Sequence, residues 1–148
     1  MNDYTGLCSI YSELDEFHRE KHPELFIEPN PVRTPEYISE LIQNRNSFLL
    51  VAEKDGEIVG LLESCIKESS DFPVNQKRRW GQIESLAVKS GIRNCNIGWL
   101  LLEEMKKWAK SNEIGRIELK VYSFNSNAIQ FYSRKGFSEI SKSMFLDL

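Results

Sequence analysis

At 148 residues, with 41% apolar and 28% charged side chains, the chain has the size and balance of one globular domain with a real core. Lys and Arg number 19 against 22 Asp and Glu, a net charge of −3, which gives no basic field to attract nucleic acid. The longest apolar runs, such as residues 48–52, are too short to cross a bilayer, and no apolar leader follows basic residues at the start. Cys8, Cys65 and Cys95 are odd in number, widely spaced and without a Cys-x-x-Cys pair, which argues against a disulfide framework or a zinc site. The expectation is a reduced, cytoplasmic protein with no metal and no nucleic-acid or membrane partner.

The first element reads as a helix. Leu7, Ile10, Tyr11, Leu14, Phe17 and His18 form one stripe on a 3.6-residue period, and Pro23 stops it. A Pro-rich loop, 23–33, leads to a second helix start, with Thr34 as N-cap, Pro35 at the first helical position, and Ile38, Leu41 and Ile42 as the apolar face. From Ser47 the period changes to that of strands. Residues 47–54 and 57–66 flank Asp55-Gly56, a dipeptide suited to a two-residue type I′ hairpin turn. After a polar loop, 67–78, a third strand covers 80–88, and its parity breaks. Ile83 is odd while Leu86 and Val88 are even, so either both faces are buried or a bulge separates them.

A turn at 89–96 opens into a helix whose predicted apolar face is Ile97, Leu100, Leu101, Met105, Trp108 and Ala109, with Glu103 and Lys107 as an i,i+4 pair. Ile117, Leu119 and Val121 alternate as a further strand. Residues 125–135 read as a short helix ended by Gly136, and 137–148 as one or two short strands. Strand, turn, helix, strand, helix, strand makes a mixed sheet with crossover helices.

Two stretches carry the chemistry. The strand Ile83-Glu84-Ser85-Leu86-Ala87-Val88 runs through a turn holding Arg93 into a helix opened by Ile97-Gly98. Free N–H groups and the positive end of the helix dipole make such a helix start an anion site, and a glycine lets phosphate approach the backbone. The second stretch is Asn125-Ser126-Asn127-Ala128-Ile129-Gln130-Phe131-Tyr132-Ser133-Arg134-Lys135-Gly136-Phe137.

Together these stretches resemble the GNAT N-acyltransferase superfamily. Its pattern is a bulged strand, then Arg/Gln-x-x-Gly-x-Gly/Ala, then a helix reading Asn-x-x-Ala-x-x-Phe-Tyr-x-x-x-Gly-Phe. The resemblance runs from about Phe48 to the C-terminus, and the early helix pair also fits. It implies one N-acetyltransferase domain over residues 1–148, with an α/β fold of the α+β type. The central sheet would be mixed, mostly antiparallel and splayed at a bulged strand, with about four flanking helices. It also implies acetyl-CoA as co-substrate and an amine as its partner.

The resemblance further implies a site. Arg93, Asn94, Asn96, Ile97, Gly98 and Trp99 match the loop that cradles the coenzyme A pyrophosphate. Leu86, Ala87 and Val88 match the strand that pairs with the pantetheine arm in the manner of an added β-strand. Asn125 and Asn127 match positions near the cofactor, and Tyr132 matches the residue facing its sulfur. An alkylamine with a pKa near ~10.4 must lose a proton before it attacks. Glu84 is the candidate base and Tyr132 the candidate acid for the leaving thiolate, with a backbone N–H near Leu86–Val88 for the tetrahedral oxyanion.

Each residue also has a plainer reading. Glu84 would be a polar strand residue paired with a basic neighbour, and Tyr132 a packed aromatic. His18 belongs to the apolar stripe, His22 to the helix end, and Cys95 has no nearby His in the sequence. Lys77, Arg78 and Arg79 form a solvated basic run. Glu13, Asp15, Glu16, Glu24 and Glu28 either attract a cationic amine or keep the surface soluble. The sequence departs from the pattern twice. Asn96 stands where the loop motif has its first Gly. The family usually opens with a strand before its first helix, and only a few residues precede Leu7: either that strand is absent, leaving a sheet edge that a second copy in a homodimer would cover, or the chain starts late. Two functions stay open: an N-acetyltransferase acting on a small amine, a lysine or a protein N-terminus, and a non-catalytic acyl-CoA-binding or sensing module.

Overall fold

The computed structural model describes residues 3–28, 30–92 and 96–148. Helix α1 (Tyr4–Lys21) buries Leu7, Ile10 and Tyr11 from the predicted stripe and ends just before Pro23. Helix α2 (Pro35–Gln43) starts as its sequence dictates. The Thr34 side chain accepts a 3.1 Å hydrogen bond from the Tyr37 N–H, Pro35 occupies the first turn, and Ile38 is fully buried.

Strands β1 (Ser47–Lys54) and β2 (Glu57–Glu68) form an antiparallel hairpin. Asp55 and Gly56 both have positive φ, 53° and 82°, as a type I′ turn requires. Strand β3 (Arg79–Val88) pairs antiparallel with β2, and a 3-10 turn follows at Ser90–Ile92. Helix α3 (Ile97–Ser111) crosses to strand β4 (Ile117–Leu119), which lies parallel to β3, and helix α4 (Ser126–Arg134) comes last. The sheet order is β1-β2-β3-β4, mixed and mostly antiparallel.

Each face of the sheet has its own core. On one face α1 and α2 bring Leu7, Ile10, Tyr11 and Ile38 against Ile58 and Leu61, with Leu49, Val51 and Ala87 beside them. On the other face α3 brings Leu101, Leu102 and Met105 against Leu62 and Ile83, joined by Leu50, Leu86, Leu119, Phe131 and Phe137. Ile83 and Leu86 therefore share a face despite their opposite parity. The register explains why. Ser64 pairs with Ile83 and Glu63 with Ser85, so Glu84 is one extra residue in β3, a bulge at the predicted place.

Several expectations need correcting. Leu100 is 53% exposed, and the buried face of α3 is Leu101, Leu102, Met105 and Ala109, because the sheet meets the helix on the Leu102 side. The expected Glu103–Lys107 pair is replaced by two i,i+3 pairs, Lys106–Glu103 and Lys107–Glu104. Strand β4 stops at Leu119 rather than reaching Val121, since β3 bends away after its pairing with Leu119. Among the described residues no strand forms in 137–148, where Ile140, Met144, Phe145 and Leu146 are exposed. Ile140, Met144, Leu146 and Leu148 fall on one parity, but the polar run Ser141-Lys142-Ser143 interrupts them. Among the described residues no strand precedes α1, which leaves β1 at the sheet edge, and no helix is long and apolar enough to cross a membrane.

The face of α3 can be checked by truncation. Leu102→Ala should cost roughly 2–5 kcal/mol in denaturant unfolding, whereas Leu100→Ala should cost less than about 1 kcal/mol. Equal losses would contradict the burial of Leu102 over Leu100.

Candidate functional site

The bulge divides β3 into two unequal halves. Residues Gly81–Ile83 pair with both β2 and β4, but the β3–β4 ladder ends at Ile83 and Leu119. From Ser85 to Ala87 the strand keeps its β2 partner and, among the described residues, has no strand partner on the β4 side. A bulge bends its strand and increases the local twist, which accounts for the separation beginning there. The result is a free edge within the sheet, suited to an extended ligand.

The strand and its turn lead to the N-terminus of α3. Asn96 caps that helix in the left-handed region, with φ 58° and ψ 7°, and its side chain makes no capping hydrogen bond. Asparagine tolerates this conformation, so the glycine-to-asparagine departure costs the turn little. The 3-10 turn just before it is tied to the first helix, because the Ser90 N–H donates to the Glu13 carboxylate at 3.0 Å. A Cβ at Gly98 would meet Phe131 Cζ at 3.7 Å and Val88 Cγ2 at 3.8 Å, ordinary contacts. The protein itself would thus accept alanine at 98, and the glycine leaves room for a ligand at the helix start. Trp99 stands on the same turn, with Lys135 Nζ 5.3 Å from its ring centroid. The end of β3, the start of α3 and the end of α4 therefore converge, bringing Leu86, Val88, Ile97, Gly98 and Trp99 to one place. Arg93 and Asn94, expected in this loop, and Cys95 lie outside the described residues.

Helix α4 supplies Tyr132. Its ring packs edge-on against Phe131 and Phe137, with centroids 5.2 and 5.4 Å away. Burial pushes the phenol up to about 12, so it stays protonated across the neutral range. Asn125, expected near a cofactor, has a structural role, since its Oδ1 caps α4 by accepting from the Ala128 N–H at 3.1 Å. Asn127 is exposed on the first turn of the same helix.

Glu84 points the other way. It lines a cavity of about 580 Å³ between α2 and the bulged part of the sheet, together with Arg33, Tyr37, Glu63, Cys65 and Lys67. Lys67 Nζ lies 3.2 Å from Glu84 Oε1, and the Cys65 thiol donates to the same oxygen at 3.4 Å. The plainer reading of Glu84, a strand carboxylate with a basic partner, is thus realised, and the carboxylate still faces the cavity. Burial and that hydrogen bond raise the Cys65 pKa and keep it a thiol, while the bond to Glu84 raises Lys67 and keeps it an ammonium. Glu84 and Tyr132 belong to opposite faces of the sheet.

The cavity also holds residues that sequence reasoning misses. Glu63 is only 6% exposed, yet both of its oxygens are satisfied: the Tyr11 hydroxyl donates to Oε2 at 2.6 Å and the Tyr37 hydroxyl to Oε1 at 2.5 Å. Burial, followed by the bond to Glu63, raises both phenols well above the ordinary tyrosine range, so they act as donors. Arg33 stacks over the Tyr11 ring at 4.5 Å while its guanidinium pairs with Asp15 at 2.8 Å. Hydrogen bonds to a charged group contribute roughly 1.5–3 kcal/mol each, and burying a carboxylate costs several kcal/mol, so two such bonds leave little surplus. The signal is present in the sequence as one acid inside an apolar strand run.

The remaining candidates find ordinary partners. His18 sits among Phe17, Phe26, Tyr122 and Phe124, with Nδ1 2.8 Å from the Leu14 carbonyl oxygen, and His22 meets Glu24 at 2.7 Å. Arg19 pairs with Glu16 and Glu28. Lys77, Arg78 and Arg79 pair with Asp71, Glu118 and Glu68 in turn.

Residues 9–137 match the sequence profile of the Acetyltransferase (GNAT) family. The chain belongs to the GNAT acetyltransferase family. Among curated GNAT relatives it is 30% identical over 123 residues to N-alpha-acetyltransferase 60 of Xenopus tropicalis, covering 74% of this chain and 51% of that protein. It is also 30% identical over 109 residues to an N-alpha-acetyltransferase of Sulfurisphaera tokodaii, covering 70% of this chain and 64% of that one. The chain thus spans about half to two thirds of these relatives. A solved structure of the BH1408 protein from Bacillus halodurans, a tetramutant, superimposes with a TM-score of 0.92 at 26% identity, covering 99% of this chain and 95% of that one. The aminoglycoside N-acetyltransferase AAC(6')-Iy, solved in complex with CoA, shares the fold with a TM-score of 0.65 at 15% identity, over 74% of this chain and 81% of that one. The GNAT family uses acetyl-CoA.

The burial of Tyr132 sets a pH expectation. A phenol raised from 10 to about 12 contributes stability in full below pH 10, and that contribution disappears as pH climbs through about 12. Phenolate absorbance should show a tyrosine titrating near 12 in the wild type and missing in Tyr132→Phe. A midpoint near 10 for that residue would contradict its burial.

Proposed function

We propose that this protein transfers the acetyl group of acetyl-CoA to a primary amine, a small amine, a lysine side chain or a protein N-terminus, by direct attack. The observation that carries this reading is the bulge at Glu84. It opens the β3 edge on one side and faces the 580 Å³ cavity on the other, so donor and acceptor sites meet at one residue.

Acetyl-CoA supplies the activated acyl group as a thioester. The β3 backbone from Leu86 to Val88 would hold its arm by strand-like pairing, and the N–H groups of Ile97, Gly98 and Trp99 would face its pyrophosphate, with Arg93, Asn94 and Asn96 alongside. Asn127 stands near this arm, and Asn125 contributes by starting α4. Glu84 takes a proton from the acceptor ammonium, directly or through water, and Lys67 keeps that carboxylate in place. A backbone N–H at the bulge stabilises the oxyanion. Tyr132, on the opposite face of the sheet, donates a hydrogen bond to the leaving sulfur. With a phenol near 12 against a thiol of ~8.5, complete proton transfer is uphill by roughly 3 to 4 units, so the hydroxyl stabilises the thiolate and water completes its protonation. No covalent link between acyl group and protein is needed.

A sensing module of the same fold would bind the cofactor and turn nothing over, and one assay separates the two. Release of free thiol from acetyl-CoA should depend on an added amine. Tyr132→Phe should slow it while leaving cofactor affinity unchanged, and Glu84→Gln should slow it most at low pH, where the amine is hardest to deprotonate. No thiol release with any amine would rule out the enzyme. Unchanged rates in both variants would remove these two roles.

A further inference from the structure

Counted with Asp15, which pairs with Arg33, the charges around the acceptor cavity do not cancel: Arg33 and Lys67 stand against Asp15, Glu63 and Glu84. Four charged side chains line it: Arg33, Lys67, Glu63 and Glu84. Arg33 is engaged by Asp15, and Lys67 by Glu84. Glu63 remains. Among the described residues no cationic nitrogen forms an ion pair with it, and its partners are two neutral phenols. A carboxylate 6% exposed, without a cation, on the wall of the cavity creates a negative potential there. Each of its oxygens accepts one hydroxyl and has capacity for a second donor.

Its position matters as much as its charge. In the β2–β3 register Glu63 faces Ser85, next to the bulged residue. An ammonium drawn to Glu63 would therefore lie beside Glu84 and the free β3 edge. The two phenols fix the carboxylate from both sides, one from α1 and one from α2, so it is held ready for a cation and does not rearrange to receive one.

We propose that Glu63 is the specificity-determining residue of the acceptor pocket, receiving the acceptor's ammonium and selecting cationic primary amines over neutral molecules of the same shape. The proposal rests on the reading of that cavity as the acceptor site. Glu63 holds charge and position, and the proton is taken by Glu84.

The test is a binding measurement, so it does not depend on turnover. The full chain, saturated with CoA lacking the acetyl group, is titrated with butylammonium and with the neutral isostere 1-butanol. The wild type should bind the cation at least tenfold more tightly than the alcohol. Glu63→Gln should lose that preference while CoA affinity stays unchanged, and Glu84→Gln combined with Lys67→Met, which removes that ion pair whole and leaves the cavity's net charge as it was, should keep it. Should Glu63→Gln fail to fold, Tyr37→Phe serves instead. It removes one hydroxyl and leaves the charge, so the preference for the cation should persist, as no merely structural role for the network would require. No preference in the wild type, its survival in Glu63→Gln, or its loss in the Glu84→Gln/Lys67→Met pair or in Tyr37→Phe would overturn the proposal. Amine-dependent thiol release reports separately on the proposed activity: release without cation selectivity would sink this inference alone.

Discussion

Between Ile83 and Ser85, strand β3 carries a residue for which β2 offers no partner, and the rest of the site follows from that mismatch. A strand that gains one residue on one side must bend. The bend falls where pairing with β4 ends, so one strand serves as sheet interior as far as Ile83 and as an open edge beyond it. Exposed edges are normally covered or blunted because they invite another strand. Here the edge faces the uncapped start of α3 and the aromatic residues of α4, where a bound ligand would cover it.

The two faces of the sheet divide the work. On the α3 and α4 side, packing is apolar and close, and the start of α3 lies against Val88 and Phe131 with room for a Cβ at Gly98. The other side combines the α1 and α2 core with a polar network at the cavity, in which Tyr11 belongs both to the core and to the Glu63 contacts. Burying Glu63 is expensive and is offset only partly by its two phenols. A fold that kept it for stability alone would do as well with an apolar residue of that size. Glu13 links the two halves through Ser90, so α1 helps to position the turn at the end of β3.

Much of this is legible in the residues. The parity conflict between Ile83 and Leu86 locates the bulge, Asp55-Gly56 fixes the hairpin, and Thr34-Pro35 starts α2, because each is a local rule with a local cause. The resemblance carried by Gly98 and by the helix around Tyr132 points to the family. What the sequence conceals depends on three-dimensional partners. Periodicity places Leu100 in the core because it marks an apolar stripe without saying which side the sheet will meet. That Asn125 caps α4 shows only once the Ala128 N–H is placed against its Oδ1. Glu63 escapes notice because its meaning comes from Tyr11 and Tyr37, 52 and 26 positions away. The segment 137–148 reads as strand, and alternation alone does not supply the neighbouring strand it would need to pair with.

Removing Glu84 altogether tests the account most directly. Deletion would join Ile83 to Ser85 in unbroken register with Ser64 and Glu63, erasing the bulge while leaving every other residue on its present face. Calorimetric titration with acetyl-CoA should give one-to-one binding to the wild type and at least a tenfold loss in the folded deletion variant, because β3 would stay in line with β4 and close its edge. Equal affinity in both proteins would contradict the claim that the bulge makes the site.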